Sequence, residues 1–155
     1  MARHVHLALQ RTASTTPGAL EGAVHLRVRG VTVLDWPLVR LDAAALALAR
    51  AASAGHRAGG GALFPTPGAD AGADFDVTPA GNAVALSGFR GCAVTAEASF
   101  TVPWAALAGA AIKLGSMAVR RTAPGSPGRE ELRALLKPIR ARHRALVKRP
   151  RERSA

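Results

Sequence analysis

The chain has 155 residues and a formal net charge of +11, with 21 Lys or Arg against 10 Asp or Glu. Its length suits a single domain, and the lack of Tyr, with four Phe and two Trp, disfavours single-stranded nucleic-acid binding by aromatic stacking. One cysteine excludes an intrachain disulfide and a cysteine-based zinc cage.

The first third of the chain alternates apolar and polar residues, as half-buried strands do. Two such runs, 5–9 and 24–33, predict a hairpin region, and Gly30 breaks the second run before Val31 and Val33 resume it. The next segment, 42–54, has helical character, with Asp42 to cap its start and Gly55 to end it. A short helix is therefore predicted after the hairpin.

The middle of the chain begins with a Gly- and Pro-rich stretch, 58–74, which predicts an exposed loop around a short strand at 62–64. Three alternating runs at 75–77, 84–86 and 94–100 then predict a meander of three strands, and 103–121 predicts a helix. The predicted fold class is α+β, with a single antiparallel meander-type sheet packed by a short helix and two C-terminal helices.

The last segment has the clearest helical pattern, because its large apolar residues share one helix face. These residues are Leu132, Leu135, Leu136 and Ile139. The predicted domains are an α+β core over 1–122, a short Pro/Gly linker over 123–128, a basic amphipathic helix docked on the core over 129–149, and a disordered tail over 150–155.

Positive charge is concentrated in this C-terminal part. Residues 113–155 hold thirteen Lys or Arg and three Asp or Glu, whereas 1–112 hold eight and seven. Helical geometry brings five of the cations into a narrow band beside the apolar face. They are Arg133, Lys137, Arg140, Arg144 and Lys148. This band predicts a partner-binding surface for an acidic protein or a nucleic acid, and the alternative is a helix that is simply well solvated.

Two groups of side chains resemble parts of metal sites. One is a set of histidines on predicted strands: His4, His6 and His25. The other is a set of aspartates in DAGADFD: Asp70, Asp74 and Asp76. The alternation does not specify the strand register that the histidines need, and the aspartates lack the ligand spacing and final Glu of an EF-hand. We therefore predict no metal and no cofactor.

The common sequence signs of catalysis are missing. The chain contains no GxxxxGK[ST], GxSxG or HExxH. Cys92 has no neighbouring His in the sequence to activate it, so we interpret it as a small buried residue instead of a nucleophile.

These observations favour a non-enzymatic binding module, such as an inhibitor, an immunity-type protein or an adaptor, which uses a protein–protein surface. The alternative is a nucleic-acid-binding protein that uses the basic C-terminal helix, and a second alternative is an enzyme without a local motif. The Ala-, Gly- and Arg-rich composition predicts a bacterial source. No apolar run suits a membrane span or a secretory signal, which predicts a cytoplasmic protein.

Overall fold

The structure is a computed structural model that describes residues 5–11, 21–54, 74–95, 97–121, 125 and 127–154. Within them, six strands and three helices follow the order βββαβββαα. The strands are β1 Val5–Arg11, β2 Glu21–Val28, β3 Val31–Arg40, β4 Asp74–Ala80, β5 Ala83–Arg90 and β6 Phe100–Pro103. The helices are α1 Leu41–Ala54, α2 Trp104–Arg121 and α3 Pro127–Ser154. A unit of three strands and one helix therefore occurs twice before the final helix.

The strands form two separate antiparallel sheets, in the orders β1-β2-β3 and β4-β5-β6. The α+β class is confirmed, and the prediction of one single sheet is wrong. The physical reason is that β3 runs directly into α1, which ends the first meander before the second begins. The two parts are nevertheless linked, because the backbone N–H of Ala93 donates to Val33 O at 2.8 Å.

The central strand of the first sheet, β2, buries its apolar residues on one face. The register pairs Val5, Leu7 and Leu9 of β1 with Val28, Leu26 and Val24 of β2. Those three β2 residues are each 1% exposed, so the alternation in the sequence corresponds to burial of one sheet face. Arg29 and Gly30 have φ angles of 51° and 83°, which make a tight turn of the kind that joins twisted strands. The apolar run 24–33 is therefore two strands.

The helix α1 lies at the centre of the core. It contacts β2, β3 and β4 and also packs against α2 and α3. Its buried alanines are Ala44, Ala45, Ala47, Ala49, Ala51 and Ala52. A helix that is apolar nearly all round is a buried helix. The indole N–H of Trp104 donates to Ala52 O at 2.9 Å, which ties the start of α2 to the end of α1.

The helix α3 packs on α1 and α2. Leu132, Leu136 and Ile139 are buried, whereas Leu135 is half-buried. The helix begins inside the predicted linker and continues into the segment predicted as a tail. The division of the chain into domains stays a prediction. In the described ranges, no helix combines the length and the apolar character needed to cross a lipid bilayer.

A close approach of α2 to α3 occurs at Gly115. A Cβ atom on this residue would lie 2.7 and 2.9 Å from the Cδ atoms of Leu136, which is closer than carbon atoms pack. We therefore expect Gly115→Val to lower the free energy of unfolding by about 1 to 3 kcal/mol through overpacking. Denaturation in guanidinium chloride measures this change.

The matched control is Gly128→Ala in the first turn of α3. No heavy atom lies within 4 Å of a Cβ at Gly128. This substitution should leave stability unchanged or raise it by up to about 1 kcal/mol. An unchanged free energy of unfolding in Gly115→Val would contradict the described packing of α2 on α3.

Candidate binding surface

The pairing of α2 with α3 decides which side of α3 faces solvent. Near one end of the pair, Arg129 Nε donates to Val119 O at 2.9 Å. Near the other end, the guanidinium carbon of Arg142 lies 4.4 Å from the centre of the Trp104 ring, within the range of a cation–π interaction. The two helices are therefore antiparallel and fixed along their length.

Four of the five predicted partner-binding residues line one open groove of about 640 Å³ beside α3. These four are Arg133, Lys137, Arg140 and Arg144, and all are exposed. The rest of the lining is Val119, Glu130, Ala134 and Ala141. We call these eight residues the basic groove. The side chain of the fifth predicted residue, Lys148, lies outside the described part of the structure.

The charges of the basic groove are four cations and one carboxylate. Glu130 Oε1 lies 3.8 Å from Arg133 Nη1 and 3.9 Å from Arg129 Nη1. Exposed ion pairs of this kind contribute about 0 to 1 kcal/mol, so Glu130 holds its neighbours only weakly. The groove therefore presents net positive charge to solvent, which attracts anionic partners and raises their association rate.

A smaller depression of about 380 Å³ adjoins the basic groove and shares Arg140 and Arg144 with it. Its other lining residues are Ile112, His143 and Val147. We call this second depression the apolar notch. Val147 is 47% exposed, which is high for a large aliphatic side chain. Cationic and apolar surfaces thus meet along the same side of the helix pair.

The guanidinium of Arg140 is held in place at this junction. Its Nη2 group donates a hydrogen bond of 2.6 Å to Ser116 Oγ on α2. Because Ser116 belongs to the neighbouring helix, this hydrogen bond fixes the position of the guanidinium relative to α2. The other N–H groups of Arg140 therefore keep a defined orientation. An arginine tethered in this way loses less side-chain entropy when it binds a ligand.

Only the α3 side of this surface was predicted from the sequence. Ile112, Ser116 and Val119 come from α2 and were missed. Their spacing of four and three residues places them on one flank of α2, beside its buried row. That signal was present in the sequence. Hydrophobic periodicity does not show, however, that α3 packs against this flank of α2.

The described histidine residues do not form a metal site. His25 Nδ1 lies 2.7 Å from Asp35 Oδ1 on the neighbouring strand. His4 falls outside the described residues, and His6 is paired with Arg27 in the strand register. In the ranges that the structure describes, no three His, Cys, Asp or Glu side chains are placed to hold a metal ion.

The aspartates of the calcium hypothesis form ion pairs with an arginine. Arg90 on β5 contacts both Asp74 and Asp76 on β4, with 3.4 Å between its Nη2 and Asp76 Oδ1. Asp70 lies outside the described residues. The two carboxylates that are described therefore belong to a cross-strand ion-pair cluster.

Cys92 is half-buried after the end of β5. Its Sγ lies 3.5 Å from Arg90 O and 3.6 Å from Asp74 O. Burial raises the pKa of the thiol, so less thiolate is present at neutral pH than in an exposed cysteine. Because the thiolate is the reactive form, this position disfavours a nucleophilic role. That the chain is not an enzyme stays a prediction.

Comparison of the chain with protein-family models, with curated proteins and with solved structures finds no match. The basic groove and the apolar notch are therefore the features of the molecule that indicate its function.

Proposed function

We propose that the chain is a non-enzymatic binding module whose basic groove binds an acidic protein partner. The observation that carries this proposal is the convergence of Arg133, Lys137, Arg140 and Arg144 on one open groove. All four side chains are exposed, and the groove holds one acidic residue against them. Complementary negative charge on a partner would be steered to this surface and oriented on it.

The apolar lining favours a protein partner over a polyphosphate. Val119, Ala134 and Ala141 line the basic groove, and Ile112 and Val147 line the adjoining notch. Phosphate groups gain nothing from such contacts, whereas a protein surface offers carboxylates and aliphatic side chains together. Protein interfaces commonly combine an apolar centre with a polar rim. An inhibitor, an immunity-type protein or an adaptor would act through a surface of this kind.

A nucleic-acid ligand is the second candidate, and the row of four cations along α3 favours it. At the rise of an α-helix, Arg133 and Arg144 are roughly 16 Å apart along the axis, a length over which a phosphate backbone presents several charges. Among the residues whose side-chain burial the structure describes, the exposed large hydrophobic ones are Val31 and Val147, neither of which is aromatic. Those two residues therefore cannot stack on nucleic-acid bases as an aromatic side chain would.

The cellular setting is part of the same proposal. We infer a bacterial cytoplasmic protein from the Ala-, Gly- and Arg-rich composition and from the single cysteine, which suits a reducing compartment. This setting supplies acidic proteins and nucleic acids alike, so it does not distinguish the two candidates.

Cross-linking from the groove tests the proposal. Ala141 lines the groove and is exposed, so a photoreactive group attached there contacts whatever occupies the groove. Irradiation of the labelled protein in a lysate of its source organism is expected to give adducts with protein that persist after nuclease treatment. Adducts that nuclease removes would favour the nucleic-acid candidate instead.

A further inference from the structure

We propose that the junction of the basic groove and the apolar notch is a composite subsite that binds one carboxylate together with one aliphatic side chain. Arg140 would bind the carboxylate, and Ile112 and Val147 would contact the aliphatic group. The partner's segment would then carry an Asp or Glu close to a Leu, Ile or Val. This inference rests on the proposed function and specifies what the partner presents.

The carboxylate half of the subsite follows from the geometry of Arg140. Arg140 and Arg144 line both depressions, so they stand where the two meet. The hydrogen bond of 2.6 Å to Ser116 Oγ orients the Arg140 guanidinium and uses one of its five N–H groups. The other donors suit a planar carboxylate, which arginine binds through two parallel hydrogen bonds.

The aliphatic half follows from the exposure of Val147. A single exposed valine is ordinary on a protein surface. Val147 differs because it lines a concave depression with Ile112, and arginines border that depression. An aliphatic side chain that enters the notch removes apolar surface of both partners from water, which stabilises the complex.

Charge complementarity selects the occupant. The notch is lined by two arginines and His143, and no carboxylate is among its lining residues. An acidic segment therefore meets no repulsion there. A phosphate backbone would satisfy Arg140 and Arg144 but would leave the aliphatic lining without a partner, so nucleic acid is an outcome of the test and not the occupant that we propose.

A library of random 12-residue peptides, displayed on phage and selected on the full-length protein, tests the subsite without assuming a sequence. We expect the enriched peptides to place Asp or Glu within four positions of Leu, Ile or Val. Synthetic copies of the enriched peptides then serve as probes in fluorescence polarisation at about 0.15 M salt, where long-range electrostatics are largely screened.

Four variants separate the subsite from general charge attraction. Arg140→Gln should weaken binding of these peptides at least tenfold. Ser116→Ala should weaken it about threefold, mainly through faster dissociation, and Val147→Thr about fivefold, although neither changes the net charge. Arg120→Gln removes the same charge as Arg140→Gln from an exposed position that lines neither depression, and it should change affinity less than twofold.

Three results would overturn the inference. The subsite would be wrong if the enriched peptides were acidic but lacked aliphatic neighbours, or if Arg140→Gln and Arg120→Gln had equal effects. Either result would still be compatible with the proposed function. If no peptide is enriched and the protein binds a random-sequence 20-base-pair DNA duplex tightly, both the subsite and the proposed function would be contradicted.

Discussion

Replacing Leu136 by Ala is expected to lower the free energy of unfolding by about 2 to 5 kcal/mol. Leu136 is fully buried, and its Cδ atoms occupy the space that Gly115 leaves on α2. Truncation would leave a cavity that movement of α2 and α3 closes only in part. The free energy of unfolding therefore falls both because less apolar surface is buried and because the cavity lacks packing contacts. Denaturation monitored by circular dichroism gives the free energy directly.

The neighbouring residue provides the control. Leu135 has the same side chain on the same helix but is only half-buried. Leu135→Ala should therefore cost less than half as much as Leu136→Ala, because less apolar surface returns to water. Equal costs for the two variants, or a larger cost for Leu135→Ala, would contradict the orientation of α3 on α2.

Much of the fold could be predicted because local patterns match the elements. The alternation at 5–9 and 24–33 predicted strands, of which β2 buries Val24, Leu26 and Val28, and the pattern after Asp42 predicted the helix that spans Leu41–Ala54. Gly30 was identified as a break in a strand, and its positive φ makes it part of the turn between β2 and β3. Turn residues and hydrophobic periodicity depend on residues that are close together in the chain, so a single sequence is enough to predict the elements that they form.

The division into two sheets was not predicted, because strand pairing beyond neighbouring strands is not local. The third strand of the second meander was expected at 94–100 but begins at Phe100. The segment before it leaves the sheet, and its Ala93 N–H donates to Val33 O on β3. A long-range hydrogen bond of this kind leaves no periodic signal in the sequence.

The candidate site was half predictable for the same reason. Helical spacing placed Arg133, Lys137, Arg140 and Arg144 on one side of α3, and these four side chains line one groove. The contribution of α2 depends on how two helices pack. Ser116 looks like an ordinary polar helix residue until the structure shows that it accepts a hydrogen bond from Arg140.

Removing three charges from the groove is expected to weaken partner binding about 100-fold. The variant combines Lys137→Gln, Arg140→Gln and Arg144→Gln, and each lost charge-assisted contact is worth about 1 kcal/mol. Gln is a good helix former, and all three positions are exposed, so the fold should persist. Isothermal titration with the protein recovered by cross-linking from Ala141 gives the affinity.

A second triple variant controls for net charge. Arg27→Gln, Arg120→Gln and Arg121→Gln remove three charges from exposed positions that do not line the groove or the notch. This variant should bind within about threefold of the wild type at 0.15 M salt, because exposed charges that do not line the groove or the notch act on the partner only through solvent, where salt screens them. Wild-type affinity in the groove variant would show that its cations serve only to solvate α3.

The most direct test of the central claim is paired photo-cross-linking from inside and outside the groove. Because Cys92 is the single cysteine, a Cys92→Ser background allows one benzophenone maleimide label at Ala141→Cys or, as the control, at exposed Thr78→Cys on β4. We expect position 141 to give protein adducts of defined mass that resist nuclease. These adducts should be absent when the label is at position 78, and they should be lost when Lys137, Arg140 and Arg144 are replaced by Gln. Identical adducts from both positions, or only nuclease-sensitive adducts from position 141, would contradict this expectation.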